Sequence, residues 1–218
     1  MDENKVESQE LVGQQTTDIA TAEVNPNVSI WNDTAAFQMA AKAANVLAKS
    51  DLVPVETYKG KPANCLIALD MANRMGMSPL NVMQNLYIVK GKPGWSGQFC
   101  IAATNASGKF SPLEFVQLLN EDGSTKGYYA QATSLATGKI CTGAPVTWDM
   151  VKAEGWLDKS GSKWKTMPDQ MFRYRAAAFF VRTFCPEVLN GLQTVEELRD
   201  VRGYEEPEKK TTVITLED

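Results

Sequence analysis

No histidine occurs among the 218 residues, which excludes histidine-based nucleophilic triads, histidine–metal sites and imidazole acid–base chemistry together. A GxxxxGK[ST] loop is also missing, which argues against a P-loop nucleotide engine, and no cofactor is called for. No apolar run approaches the roughly 18 residues of a membrane helix, and no charged-then-apolar N-terminus reads as a secretory signal. The expectation is a cytoplasmic protein with no membrane partner. Cysteine is scarce: Cys65, Cys100, Cys141 and Cys185 are widely separated, sit among apolar neighbours and form no CxxC, so they read as buried free thiols rather than disulfides or zinc ligands.

Net charge is −4, an unpromising value for a nucleic-acid binder until it is divided along the chain. Residues 1–33 carry seven acids against Lys5, and residues 187–218 carry nine acids against four bases. The body, 34–186, carries seventeen bases against ten acids, a net +7 between acidic ends. Residues 1–30 are polar and without sustained period, and read as a disordered acidic arm; 203–218 read as an acidic tail. The hydrophobic fraction of 44% suits one globular domain between them, over 31–202.

The stretch from Thr166 to Pro186, TMPDQMFRYRAAAFFVRTFCP, carries the strongest signal in the body. Thr166 with Asp169 has capping-box spacing, Pro168 suits a first turn, and Pro186 stops the run. Nearly every face of this helix is apolar, so it predicts a long buried core helix near the C-terminus. Arg175 and Arg182 fall on one side of it and Arg173 on the far side. Arginines in such a helix either pair with carboxylates, such as Asp149 or Glu187, or line an anion-binding groove where guanidinium and aromatic groups suit phosphates and bases.

Earlier in the chain, Asp33 caps a helix to about Lys49, Asn64 is a plausible cap for CLIALDMANRM closed by Gly76, and Ser78–Pro79 open a short third helix. Asp70 and Arg74 stand one turn apart as a supporting pair, and Met71, Met75, Met77 and Met83 read as core filling. LYIVK reads as a strand, followed by a Gly-rich turn bearing Lys90, Lys92 and Trp95, then Ser96 as the cap of a helix. Trp95 either shows its indole to solvent for a base or covers the core. FSPLEFVQLL, KGYYAQATS and KICTGAPV form an antiparallel meander in which only one of Tyr128 and Tyr129 faces the core. The fold class is therefore α+β, an antiparallel sheet of three or more strands packed with helices. Thr147 begins a further helix, and a charged loop with Lys159, Lys163, Trp164 and Lys165 leads to the arginine helix, a second place where stacking and phosphate contact coincide. Thr194 with Glu197 makes a capping box for a last short helix.

Three blocks in the same order, ALDMANRMGMSPLNVMQNLYIVKGKPGWSGQF, KAEGW and SKWKTMPDQMFRYRAAAFFVRTFCPEVLNGLQTVEELRDV, resemble the RecT family of phage and prophage single-strand DNA annealing proteins over about residues 34–201. That resemblance implies a non-enzymatic protein that coats single-stranded DNA, assembles into homo-oligomeric rings or helical filaments, and anneals complementary strands to duplex DNA without nucleotide hydrolysis. It also implies a phage exonuclease and a host single-strand-binding protein as functional partners. Carried across by motif, Lys92, Trp95, Arg173, Arg175 and Arg182 would lie around the DNA groove. Lys90, Lys163, Trp164 and Lys165 join them on charge and aromatic content. Two rivals stand beside this reading: an assembly module with no DNA role, and a metal-dependent nuclease using Asp70, Glu114 and Asp149, which share no motif spacing.

Overall fold

The computed structural model describes residues 30–89 and 91–200; the 203–218 tail, residues 1–29 of the arm and Lys90 lie outside the described residues. Helices α1 (Thr34–Leu47), α2 (Pro62–Met75) and α3 (Pro79–Asn85) lead into a hairpin of β1 (Leu86–Val89) and β2 (Lys92–Trp95). Helix α4 (Gly97–Ala106) follows, then β3 (Glu114–Leu119), β4 (Thr125–Thr133), β5 (Ile140–Thr142) and β6 (Val146–Thr147). The chain ends its described part with α5 (Trp148–Ala153), α6 (Pro168–Phe184), a 3-10 turn at Pro186–Leu189 and α7 (Val195–Asp200).

Local chemistry writes most of these boundaries. Asp33 accepts hydrogen bonds from the backbone N–H of Ala35 and Ala36, Ser96 from Phe99 and Thr147 from Met150, each satisfying donors that a helix start leaves open. Gly76 closes α2 in the left-handed region, at φ 61°. Two expected caps are replaced. Helix α2 starts at Pro62, whose fixed φ suits a first turn, and the Asn64 amide instead donates to the Thr57 carbonyl at 2.6 Å. Helix α6 also starts on its proline, with Met167 at the cap position and no side-chain cap bond, so the Thr166–Asp169 box does not form.

The turn expected at KGKPGW is the second strand of a hairpin, with Leu86 opposite Trp95 and Val89 opposite Lys92. In the main sheet β4 is central. It pairs antiparallel with β3 along one edge, and with both β5 and β6 along the other. The meander is thus confirmed, with its third strand broken in two at Gly143–Pro145, where proline has no N–H for the ladder. Gly127 is required where β6 crosses close to β4, because a Cβ there would stand 2.1 Å from the Val146 carbonyl oxygen.

Helix α6 is the long buried core helix anticipated from its composition. It packs on β4 and α4, and Phe172, Ala176, Ala177, Ala178, Phe180 and Val181 are all fully buried. Alternation on β4 turns Tyr128, Ala130 and Ala132 toward that core and leaves Tyr129 half-buried. The small alanines let the backbones approach, while Tyr128–Phe172 and Phe110–Phe180 ring contacts at 5.6 and 5.3 Å fill the remaining space. Full burial of each phenylalanine contributes about 2–3 kcal/mol. Met83 is buried, and Met71, Met75 and Met77 pack against the core. Helix α1 packs on α2 but leaves Met39 and Val46 exposed, continued by Leu52, Val55 and Ile67.

All four cysteines are free: Cys65, Cys100 and Cys185 are buried and Cys141 is half-buried. Burial pushes the Cys65 and Cys100 thiols up, and the Cys185 thiol to about 11 with the Glu187 charge adding to burial. Titration of the native protein with a thiol reagent near neutral pH is expected to modify Cys141 first, with the other three reacting only on unfolding. Prompt reaction of more than one equivalent would contradict this core.

Candidate nucleic-acid interface

The polar centre of the α6 side is the Glu197 carboxylate, itself almost wholly buried. The Thr194–Glu197 capping box forms as the sequence spacing requires. Glu197 Oε2 accepts from the Thr194 N–H at 2.9 Å and from its hydroxyl at 3.2 Å, and the Glu197 N–H donates back to Thr194 Oγ1 at 3.4 Å. The other oxygen, Oε1, accepts from Arg182 at 2.6 Å and lies 3.9 Å from Arg175. One carboxylate thereby ties α7 to two arginines two turns apart on α6.

The guanidinium of Arg175 also lies 4.0 Å from the centre of the Trp156 ring, close enough for a strong cation–π contact in a desolvated setting. Trp156 stacks on Trp164 at 5.3 Å, and Trp164 meets Phe172 edge-on at 5.0 Å. The result is a continuous pile, Arg182–Glu197–Arg175–Trp156–Trp164, running from α7 through α6 into the 156–165 loop. The loop is held by its own hydrogen bonds, including Ser162 Oγ to the Trp156 carbonyl at 2.5 Å.

Against the outer side of this pile lies a cavity of about 720 Å³. Trp156, Trp164, Met167, Met171 and Tyr174 give it apolar walls, and Lys159, Lys163, Arg199 and Glu196 supply its charged groups. Lys159 Nζ donates to the Arg199 carbonyl at 3.0 Å, joining loop to α7. Burial pushes the Glu196 carboxyl above its usual range. A second cavity of about 560 Å³, across the first turn of α6, brings Lys126 and Lys152 together with Asp149 and Asp169.

The nine residues singled out from the sequence separate clearly. Lys92, Lys163 and Lys165 are exposed, and Arg173 is exposed with its guanidinium 5.9 Å from the centre of the Tyr128 ring. Lys90 lies outside the described residues. Trp95 is fully buried, so of its two readings the structure shows the core one and no indole open to a base: it stacks on Phe99 at 4.2 Å, and its Nε1–H donates to the Leu189 carbonyl at 3.2 Å. Trp164 is 3% exposed and its rings pack on Trp148, Trp156 and Phe172, so it offers no open stacking face. Arg175 is likewise buried, and Arg182, though half exposed, is committed to Glu197. Both therefore show the carboxylate pairing that the helix composition allowed, Arg175 from within the core and Arg182 with half its side chain still exposed. The partner is Glu197, not Asp149 or Glu187, because the capping box delivers a buried carboxylate to that face of α6.

Lys159, Tyr174, Glu196 and Arg199 were not among the nine. A signal existed for the last two, since the capping box fixes the α7 register and sets Glu196 and Arg199 three apart on one face. The hairpin joins the same region through α7: the Trp95 N–H donates to the Gln193 carbonyl at 3.0 Å, and a Cβ on Gly94 would stand 2.5 Å from Leu198. The nuclease carboxylates do not meet. Asp70 pairs with Arg74 at 2.9 Å, Glu114 accepts from Gln131, and Asp149 lines the second cavity. Among the described residues no three histidine, cysteine or acidic side chains form a group able to hold a metal.

The model of the RecT family matches residues 104–212, half of the chain. The chain belongs to the RecT family. It is thus placed among DNA annealing proteins of recombination, a broadly non-catalytic family. No curated protein and no solved structure matches it. The matched span holds the sheet, the Arg–Glu–Arg–Trp pile and both cavities, whereas the resemblance read from about residue 34 extends further forward, and the KGKPGW hairpin falls before the match. No helix among the described residues is long and apolar enough to cross a membrane.

Glu197→Ala is expected to lower unfolding free energy by about 3 kcal/mol or more, since it strands two arginines and removes a cap. Trp95→Ala is expected to cost about 3–5 kcal/mol as a core deletion. Denaturant melts of both variants check this; a parent-like midpoint in either would refute the internal role assigned to that residue.

Proposed function

We propose that this RecT-family protein binds single-stranded DNA and anneals complementary strands without nucleotide hydrolysis, acting as a homo-oligomer in ring or filament form. The observation that carries the reading is the gathering of Lys159, Lys163 and Arg199 around one cavity, beside exposed Lys165, within the family-matched span. Phosphates follow these cations, with Arg173, Lys90 and Lys92 extending the track. Arg175 and Arg182 act from behind: they hold Trp156 and α7 where the loop needs them.

Annealing on such a surface needs no bond-making chemistry. Cations that neutralise phosphates lower the repulsion between two strands, and base stacking supplies the driving force once complementary bases meet. Self-assembly is supported by the apolar side chains Met39, Val46, Leu52, Val55 and Ile67, which the α1–α2 region leaves exposed. A phage exonuclease that produces single strands and a host single-strand-binding protein are the partners this function would require, in the cytoplasm of a bacterial or phage-infected cell.

The test is annealing of two complementary fluorescent oligonucleotides by pure protein without nucleotide, over a range of salt. Acceleration that fades with salt is expected. Lys163→Ala with Lys165→Ala should weaken strand binding for every sequence and reduce the log–log salt slope by about 1.4, two phosphate contacts at roughly 0.7 each. Unchanged slope and affinity would remove these lysines from the interface; salt-insensitive oligomers with no strand retention would favour an assembly module instead.

A further inference from the structure

Resting on the annealing reading, we propose that the cavity walled by the 156–165 loop, α6 and α7 receives one unpaired base of the bound strand. Its volume of about 720 Å³ falls in the range of small-ligand pockets, about 300–1,000 Å³, and leaves ample room for a nucleobase and its sugar. The walls are apolar and aromatic while the charge is confined to a few groups, the division that a flat base with an anionic backbone requires.

Two side chains of this lining each keep a buried polar atom with no hydrogen-bond partner just behind the cavity surface, the Nε1–H of Trp164 and Oε2 of Glu196, which a base reaches by a small shift of the lining. A buried donor and a buried acceptor left open are costly, and native interiors seldom keep them without a reason. Every nucleobase edge offers the complementary pair, ring nitrogens or carbonyls to accept and amino or imino groups to donate. Each base offers both a donor and an acceptor, so the pair tolerates different bases. That tolerance is what a sequence-independent annealing protein needs.

Tyr174, half-buried, supplies the ring nearest to being open. It is held firmly, because α4 approaches α6 so closely at Gly97 that a Cβ there would stand 2.7 Å from the tyrosine Cγ. Exposed Lys163 and Arg199 then face the phosphates flanking the base, and Lys159 ties the loop to α7 beside them. The Trp164 indole acts through its N–H, since its ring faces are already occupied by Trp156 and Phe172.

The full-length protein is titrated with a single strand of mixed sequence and with a strand of equal length built on abasic sugar phosphates. The normal strand is expected to bind about ten-fold tighter, in the range that base–aromatic stacking supports. Tyr174→Leu and, separately, Trp164→Phe are expected to shrink that ratio to about three-fold or less with abasic affinity unchanged. Trp164→Phe keeps most of the packing and serves if Tyr174→Leu does not fold. Equal binding of both strands by the parent protein overturns the base pocket while leaving phosphate tracking intact. A ratio that both folded variants preserve also overturns it, and a loss of oligomer size instead of ratio would assign the cavity to a neighbouring copy. Failure to bind either strand removes the annealing reading and this inference with it.

Discussion

Glu197 is the joint between the last helix and the rest of the protein. A carboxylate taken so far from water is tolerable only when its lone pairs are filled, and here each oxygen has a donor: Thr194 on one and Arg182 on the other, with the Arg175 charge 3.9 Å away. The arrangement also explains why an otherwise apolar helix carries two arginines on one side. One buried carboxylate offsets part of their charge from within, and the Arg175 guanidinium then serves as a polar lid on Trp156. Trp156 in turn backs Trp164 and the loop that presents the lysines. The position of the lysine-bearing loop is therefore set by the ion group behind it.

Because Arg175 and Arg182 pair with Glu197, the proposed strand-binding surface relies on lysines more than on arginine, with Arg173 and Arg199 the exposed arginines beside them. Lysine is a flexible, strongly hydrated point charge, whereas arginine offers a planar fork suited to bidentate recognition. A lysine-based surface binds phosphates without reading bases, and its grip weakens as salt rises. Both properties suit a protein that must hold any strand and still release a finished duplex. The basic body between acidic ends, visible in the charge distribution, points the same way.

Much of the local architecture was legible in the chain. Asp33, Ser96, Thr147 and the Thr194–Glu197 box each begin a helix where their spacing says, Gly76 ends one, and the three-strand meander and the Tyr128/Tyr129 alternation follow from short-range pattern. Where local rules competed, proline prevailed: α2 and α6 both start on proline rather than on the nearby polar residue. The site was less legible. Lys163 and Lys165 are exposed as a charged loop requires, which needs no partner to be predicted, but Arg199 and Glu196 needed the fold to bring α7 beside a loop forty residues earlier, as the Lys159–Arg199 bond shows.

By itself the sequence determined the α+β class, most of the helix starts, the apolar character of α6, the charge division and the family. Each of these depends on residues within a few positions of one another, or on composition, and steric and hydrogen-bonding rules act directly at that range. Only the tertiary structure decided which tryptophans are buried and which charges are paired. Trp95 is core because a carbonyl 94 residues away accepts its N–H, and Arg175 is internal because a carboxylate 22 positions on reaches it across a helix packing. Burial and ion pairing are properties of what arrives from elsewhere in the chain, and a residue's own neighbours in sequence carry no record of it.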